Sequence, residues 1–596
     1  MLGTLLPLAV AWTSPLQRSP AHAVRRPAAL AGHALLRARP RLSEGGEEGE
    51  ASESAEGATA DWREMRARLV AQERAAAQAE GADAPTLGRG DEGFVYESPL
   101  IEQGTVILGG TKQAFGFALR QQYFHKCVML LLQHDERFTK GIILNRPSAY
   151  ELDGWRVWFG GDVSEGGLFR GADKAKGERE IICLHALEGK RAERLSMPII
   201  KGVSYSTLEG AKALVAEGAA QKSDFWVFVG YAGWAPSQLQ GEVERDSWFL
   251  ASADSGTLLK ELLRQGTELP PPSDGAPPGD GLETWEKLMG SIGKSDEVQR
   301  TRGCLSDRML TEWCRVRLSP PKGWGDASAD GGEGAAALAA ASTEELPVVE
   351  GTVLRAGTPP ADRFLLNDQF LHKALMLCLH ELKSDGTWIV AVLNRPTANL
   401  VQFHADGRPR RCISFGGDGR LRGGSVGGLE IDSNGLLWLG QAEAMEAADG
   451  GAGIGVAVGE SGLRRVPPLE AAESIKLGET RLDDFLLVDG LICFSRNELR
   501  RMLDAGEVHV VSDPAPLWPQ TWALSDARNV EEAELGDGTG VWFAAAQLDS
   551  GGGGGEGKGG SFALPVVEMG GLADEALDEW LKFFAGHKRG GKADGE

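Results

Sequence analysis

One short string is written twice in this chain. Residues 141 to 147 read Gly-Ile-Ile-Leu-Asn-Arg-Pro, and about 250 positions later residues 390 to 396 read Val-Ala-Val-Leu-Asn-Arg-Pro. The text around it repeats in the same order. Gly104-Thr105-Val106 returns as Gly351-Thr352-Val353, and Gln122-Tyr123-Phe124-His125-Lys126 as Gln369-Phe370-Leu371-His372-Lys373. Phe159-Gly160-Gly161-Asp162 returns as Phe415-Gly416-Gly417-Asp418, and Trp248-Phe249 is matched to Trp542-Phe543. Asp307, Leu310, Glu312 and Trp313 share their spacing with Asp574, Leu577, Glu579 and Trp580. Motifs repeated in one order point to a tandem duplication. A chain so built is expected to fold as two similar modules, and they should pack as an intramolecular pseudo-dimer with the helices at 306–317 and 573–584 in equivalent positions.

Length agrees, since 596 residues exceed what one hydrophobic core usually supports. The expected organisation has a targeting leader over 1–43, then a disordered segment and lead-in helix over 44–97. The first module covers 98–318 with a proline-rich insertion near 269–278, and a flexible linker covers 319–346. The second, degenerate module covers 347–586, followed by a disordered tail over 587–596. The leader joins a short apolar run, Leu2 to Trp12, to an arginine-rich stretch with no acidic residue before Glu44. Such two-part leaders resemble those that route proteins into plastids. Glu44 to Ala60 is almost all Glu, Gly, Ala and Ser, too polar to fold. Residues 61–78 turn helical, with Asp61 as N-cap and Trp62, Met65 and Leu69 on one stripe.

Composition excludes some functions. A net charge of −23 disfavours a broad phosphate-binding surface, so no nucleic-acid partner is expected. Beyond the leader no apolar run reaches the ~20 residues of a membrane span. Seven scattered cysteines with no CxxC pair suit free thiols, not a disulfide framework or a standard zinc site. The Cys-x-His and His-x-Cys pairs at 125–127, 183–185 and 378–380 supply no four-ligand set, so no metal is expected, and no cofactor motif appears.

Each module alternates strand-like and helix-like text. Cys127 to Leu132 and Ala374 to Leu379 are continuous apolar runs of strand length, as in strands buried on both faces. Ile142–Leu144, Val390–Leu393, Phe225–Val229 and Phe485–Val488 add further strands, with helices at 207–217 and 469–476. The expected class is α+β, each module a mixed sheet flanked by helices.

The strings GTVILGG, QYFHKCVMLLLQHD, GIILNRP, WFGGDV and DFWVFVGYAGWAPSQLQGEVERDSWFLA resemble the YqgE/AlgH family, whose members occur in bacteria and plastid-bearing eukaryotes. The resemblance covers roughly residues 100 to 255, and it is most specific at Gly230-Tyr231-Ala232-Gly233-Trp234. The second module resembles the family through its first half, and has Gly490-Leu491-Ile492-Cys493-Phe494 where the first has GYAGW. The resemblance implies a domain with no established enzymatic activity.

Two segments supply candidate ligand-binding residues: Asn145, Arg146, Gly161, Gly233 and Trp234. Asn145 tolerates the left-handed region and caps turns, while Pro147 blocks strand continuation. Arg146 either satisfies nearby carbonyls or offers a two-point contact to a carboxylate or phosphate. After GYAGW, Ser237 and Gln240 form a capping-box pattern opening a helix, where a small anionic or aromatic ligand could rest on Trp234. No catalytic residue is assigned. The expected function is a noncatalytic binding or regulatory protein of the plastid with an unknown protein or small-molecule partner. The alternative is an enzyme or redox sensor using a first-module pocket around Trp234, Arg146 and Cys127.

Overall fold

The computed structural model describes residues 62–79, 93–112, 117–161, 180–268, 278–320, 346–357, 364–384, 386–402, 410–419, 424–426, 429–431, 435–448, 453–532, 534–551 and 571–586. The leader, Asp61, the proline-rich text at 269–277, the linker at 321–345 and the tail lie outside them. The described residues form an α+β protein.

In chain order the N-terminal strands are β1 Val95–Glu97, β2 Val106–Gly109, β3 Val128–His134, β4 Thr139–Ile143, β5 Pro147–Leu152 and β6 Trp155–Phe159. They continue as β7 Ile181–His185, β8 Ser196–Ile200, β9 Val203–Thr207, β10 Phe225–Val229, β11 Ala232–Trp234 and β12 Trp248–Ala253. One sheet runs β1-β12-β2-β3-β4-β11 and the other β5-β6-β10-β7-β9-β8.

The C-terminal strands are β13 Val353–Ala356, β14 Leu375–Leu382, β15 Thr387–Val392, β16 Pro396–Gln402, β17 Arg410–Phe415, β18 Gly424–Val426 and β19 Leu429–Ile431. After them come β20 Leu436–Gln441, β21 Val456–Ala457, β22 Leu463–Arg465, β23 Phe485–Asp489, β24 Ile492–Phe494 and β25 Val508–Val511. Their larger sheets run β25-β13-β14-β15-β24 and β16-β17-β23-β20-β22-β21, with β18-β19 as a separate ribbon. Read in parallel, both halves place corresponding strands in the same order, and among the described residues β1 of the N-terminal half and the β18-β19 ribbon of the C-terminal half lack a counterpart. Both also share a parallel pair, β6 with β10 and β17 with β23, and a register shift at Leu131/Gln133 and Cys378/His380.

The continuous apolar runs are explained by cores on both faces of the central strands. Along β3, Met129 and Leu131 enter one buried cluster, while Val128, Leu130 and Leu132 enter another. Along β14, Met376 and Cys378 enter the first of these clusters, and Leu375, Leu377 and Leu379 a third. The period-2 alternation thus reads the same residue type into two different interiors. Met129 and Met376 belong to one cluster, so a single core crosses from one half to the other.

Matching aromatic triads flank that shared core. Tyr123, Phe159 and Trp313 stack with ring centroids 5.1 to 5.4 Å apart. Phe370, Phe415 and Trp580 do the same at 4.8 to 5.5 Å. The helices Leu305–Arg317 and Leu572–Phe584, which carry the two tryptophans, also touch each other.

Two details differ from the sequence reading. Trp248 opens β12, whose partner in strand order is β25, whereas Trp542 lies on the Thr539–Gly551 helix. The residue that matches Trp542 is Trp285: its indole nitrogen donates to the Gly109 carbonyl at 2.9 Å, as that of Trp542 does to Ala356. The two Trp-Phe pairs are alike in sequence but sit on different elements, a strand and a helix. In the Trp62–Ala79 helix, the apolar stripe is exposed: Trp62 is 38%, Met65 59% and Leu69 53% accessible. Arg63 and Ala67 make the buried face instead, with Arg63 donating to the Gln103 carbonyl.

Candidate functional site

The repeated Leu-Asn-Arg-Pro string makes a buried corner where β4 ends. Asn145 Oδ1 accepts the Val128 N–H at 2.8 Å, and its Nδ2 donates to the carbonyls of Lys126 at 3.1 Å and Gly281 at 2.8 Å. The amide side chain continues the ladder of β3 past the end of β4, so every group that the strand would leave bare is paired. Gly281 has φ +71°, and a Cβ there would sit 1.9 Å from the Asn145 carbonyl oxygen, which restricts the position to glycine. Arg146, fully buried, donates through Nη1 to the carbonyls of Asn145 and Asp280, both at 2.9 Å, and through Nη2 to that of His125 at 2.5 Å. Pro147, lacking an N–H, begins β5 at the edge of its sheet, where no donor is missed.

The other half repeats this corner, with one added bond from Arg395 Nε to the Phe370 carbonyl at 3.0 Å. Asn394 joins Leu375, Lys373 and Gly538 at 2.8, 3.1 and 2.8 Å, and Arg395 reaches the carbonyls of Asn394, Asp537 and His372. Burial lowers the pKa of both arginines, that of Arg395 to about 10. Main-chain carbonyls take up the Arg146 donors that do pair, and its Nε has no partner.

Beside the first corner lies a buried ion-pair network, and beside the second a partly buried one. Asp307 Oδ1 lies 2.7 Å from His125 Nε2 and 2.8 Å from Lys126 Nζ, and Oδ2 accepts from Lys126 and from the Gly303 N–H. Burial alone would raise the pKa of Asp307, but bonds from His125 and Lys126 outweigh it and bring it to about 2. Burial keeps His125 below its ordinary value, against the pull of the carboxylate. Because an ionised carboxylate only accepts, His125 Nε2 bears the hydrogen. Asp574 meets His372 and Lys373 in the same way, at 2.8 and 2.6 Å.

With Cys304, His125 and Asp307 form a group whose donor atoms lie within 4.8 Å of one another. It makes a poor metal site. Both Asp307 oxygens are already bonded, and the Lys126 ammonium occupies the place of a cation. In the other half Gly571 stands where Cys304 does, and the His-Lys-Asp network persists without the thiol. The buried Cys127 is equally unsuited to redox chemistry, because burial pushes its thiol up to about 12.

Gly161, Gly233 and Trp234 lie elsewhere. Gly161 has φ +151°, and a Cβ there would come within 2.2 Å of the Tyr231 carbonyl carbon, so its backbone is pressed against the GYAGW turn. Gly233 is exposed on β11 opposite Lys140, while Trp234 is buried and its indole nitrogen donates to Glu242 at 3.0 Å. Trp248 donates to the same carboxylate oxygen at 2.8 Å. Trp234 is thus closed off as a stacking platform. The expected capping box does not form either: Ser237 has φ +62°, no cap bond, and the Gln238–Glu244 helix has only seven residues. That cap appears in the other half, where Ser495 accepts the Glu498 N–H at 3.2 Å.

An open cleft of about 670 Å³ lies next to this segment. Its walls are Pro99, Leu100, Ile101, His134, Asp135, Glu136, Thr139, Ala235, Pro236, Ser237, Leu239 and Gln240. None of the five candidate residues lines it: Asn145 and Arg146 meet each other in the core, and Trp234 sits behind its wall. His134–Glu136 lie at the polar turn between β3 and β4, and no functional signal in the sequence marks them. His134 Nδ1 bonds Thr139 Oγ1 at 2.8 Å, and Asp135 accepts from Gln133 Nε2 and from the N–H groups of Arg137 and Phe138.

The fold and these corners define a two-sheet α+β domain with a buried Asn-Arg turn and a surface cleft at the turn between β3 and β4. A family model described as AlgH-like (DUF179) matches residues 116–268. A UPF0301 protein of Streptomyces avermitilis is 32% identical over 163 residues, covering 25% of this chain and 81% of that protein. One of Xanthomonas campestris pv. campestris is 31% identical over 173 residues, covering 28% and 86%. The chain belongs to the AlgH-like (UPF0301) family. The solution structure of the AlgH protein from Pseudomonas aeruginosa aligns with 19% identity and a TM-score of 0.21, over 27% of this chain and 82% of that one.

Asp307→Asn leaves the fully buried Lys126 charge without its partner and should destabilise the chain by about 3 kcal/mol at pH 7. Because Asp307 and Asp574 titrate below their unfolded value near 3.9, their contribution is complete above about pH 5 and is lost as pH falls toward 2. Thermal unfolding from pH 7 to 2.5 checks both points. A wild-type melting temperature that holds steady down to pH 2.5 would contradict the network.

Proposed function

We propose that this chain is a noncatalytic binding protein of the plastid. It carries two copies of the family domain, the first copy offers the cleft, and the second serves as its structural partner. The observation that carries the binding reading is the cleft itself, formed against the family's Ala235–Gln240 segment. Asp135 holds its own turn and His134 Nδ1 is bonded to Thr139, so neither is paired with a second cleft residue in the way an activated base or nucleophile is. Binding needs only shape and complementary surface. Leu100, Ile101, Pro236 and Leu239 supply an apolar wall, and the side chains of Asp135 and Glu136 lie at its edge. That combination suits a ligand with an apolar body and a positive charge, not the anion that a helix amino terminus would have taken.

Two copies are supported by the matched strand order, the twin Asn-Arg corners and the twin His-Lys-Asp networks. Pairing between them is supported by the shared core. The plastid is supported by the two-part leader alone, and a fluorescent protein fused behind residues 1–60 should enter plastids. Cytosolic fluorescence would contradict it.

For the cleft, a thermal-shift screen of the full chain against hydrophobic amines, basic dipeptides, nucleotides and small acids is decisive. Amines or basic peptides should stabilise by about 2.7 kcal/mol at a hundred times Kd. Gln240→Arg, an exposed change that adds bulk and positive charge, should abolish the shift without altering unliganded stability. Stabilisation by acids alone, or an undiminished shift in the variant, would overturn the reading.

A further inference from the structure

The contact between the halves has the geometry of a two-fold interface, and its chemistry breaks that symmetry. Gln122 Nε2 donates to the Leu366 carbonyl at 2.8 Å, and Gln369 Nε2 donates to the Leu119 carbonyl at 2.8 Å. Gln122 corresponds to Gln369 and Leu119 to Leu366 in the repeat, so the two bonds are one contact made twice in opposite directions. That is the mark of an isologous interface, in which residue i meets j and j meets i. Such a contact would form equally well between two identical halves, so it says nothing about which half pairs with which.

Position 308 does say something. Asp307 corresponds to Asp574, so Arg308 corresponds to Glu575, and these two meet each other: Arg308 Nη1 lies 2.9 Å from Glu575 Oε1, with a second bond from Nη2 to Oε2. A residue that touches its own counterpart lies on the pseudo-two-fold axis. In a pair of identical halves that position faces itself, as Arg against Arg or Glu against Glu. Only the mixed pair gives a two-point ion pair.

A second position points the same way. The Arg120 guanidinium lies over the Phe584 ring, 4.3 Å from its centroid. In the repeat, position 120 corresponds to Asn367 and position 584 to Arg317. Two N-terminal halves paired in this way would set Arg120 against Arg317, twice, next to Arg308 against Arg308. The mixed pair replaces this cluster of like charges with one cation over an aromatic face.

We infer that Arg308, Glu575 and Arg120 make the two halves of this chain specific for each other, so that the interface closes within one chain and excludes pairing between like halves. The inference rests on the reading of the chain as two paired copies. The charges are partly exposed, so they select the partner while the shared core supplies the affinity.

The test uses the full chain carrying a protease site within 321–345, cut after purification and followed by size-exclusion chromatography with light scattering. The two fragments should co-elute as a one-to-one complex, and separation of wild-type fragments would overturn the pairing itself. Arg308→Glu should weaken the cut complex by roughly tenfold, with the loss reduced at high salt. The exchanged variant, Arg308→Glu with Glu575→Arg, should restore affinity to within about twofold. Wild-type co-elution with no effect of Arg308→Glu, or with no rescue by the exchange, would keep the pairing and overturn the charge selection.

Discussion

The architecture of each half depends on one buried amide, that of Asn145 or Asn394, acting as a surrogate strand. A central strand that outruns its neighbour exposes backbone groups in a dry interior, and each unpaired group costs about 1–3 kcal/mol. The asparagine accepts the N–H of the first residue of β3 or β14 and donates to the carbonyl two residues before it. Its remaining N–H reaches Gly281 or Gly538, which lets the segment ahead of the next helix close over the sheet. The adjacent arginine gathers the carbonyls that the turn leaves over. Paired with main-chain dipoles, it fixes three chain segments with one rigid planar group.

From that corner the structure extends outward in a defined order. Among the carbonyls held by the two arginines are those of His125 and His372, and the rings of those histidines bind Asp307 and Asp574. These aspartates open the helices that face each other between the halves. A residue type chosen to end a strand is therefore coupled, through two short steps, to the interface. The cleft lies apart from this chain of contacts, on the far side of β4 and β11, and this separation lets a surface site diverge while the corner is kept.

Much of the architecture was legible in the sequence because it is carried by local signals. Apolar runs at 127–132 and 374–379 declared doubly buried strands, and the paired Leu-Asn-Arg-Pro strings declared equivalent strand ends. What was not legible depends on long-range pairing. His125-Lys126 and Asp307 were each visible as repeats, yet nothing local joins residues 182 positions apart. Trp234 looked available because an aromatic beside glycines often lines a site, but Glu242 and Trp248 close over it. The stripe of Trp62, Met65 and Leu69 followed helical periodicity correctly and still faced outward, because buried Arg63 bonds set the docking face. The cleft was missed for a related reason: its walls come from three separate segments, and the polar turn at 134–136 has no periodicity to betray it.

If the amide surrogate governs each half, the two N–H groups it accepts should be among the last in the chain to open. Native-state hydrogen exchange of the full protein, read at Val128 and Leu375, measures this directly. Exchange at both only through global unfolding, with the free energy of the most protected core strands, is the expected result. Exchange at either amide through local fluctuation, well below that free energy, would contradict the central role given to Asn145 and Asn394.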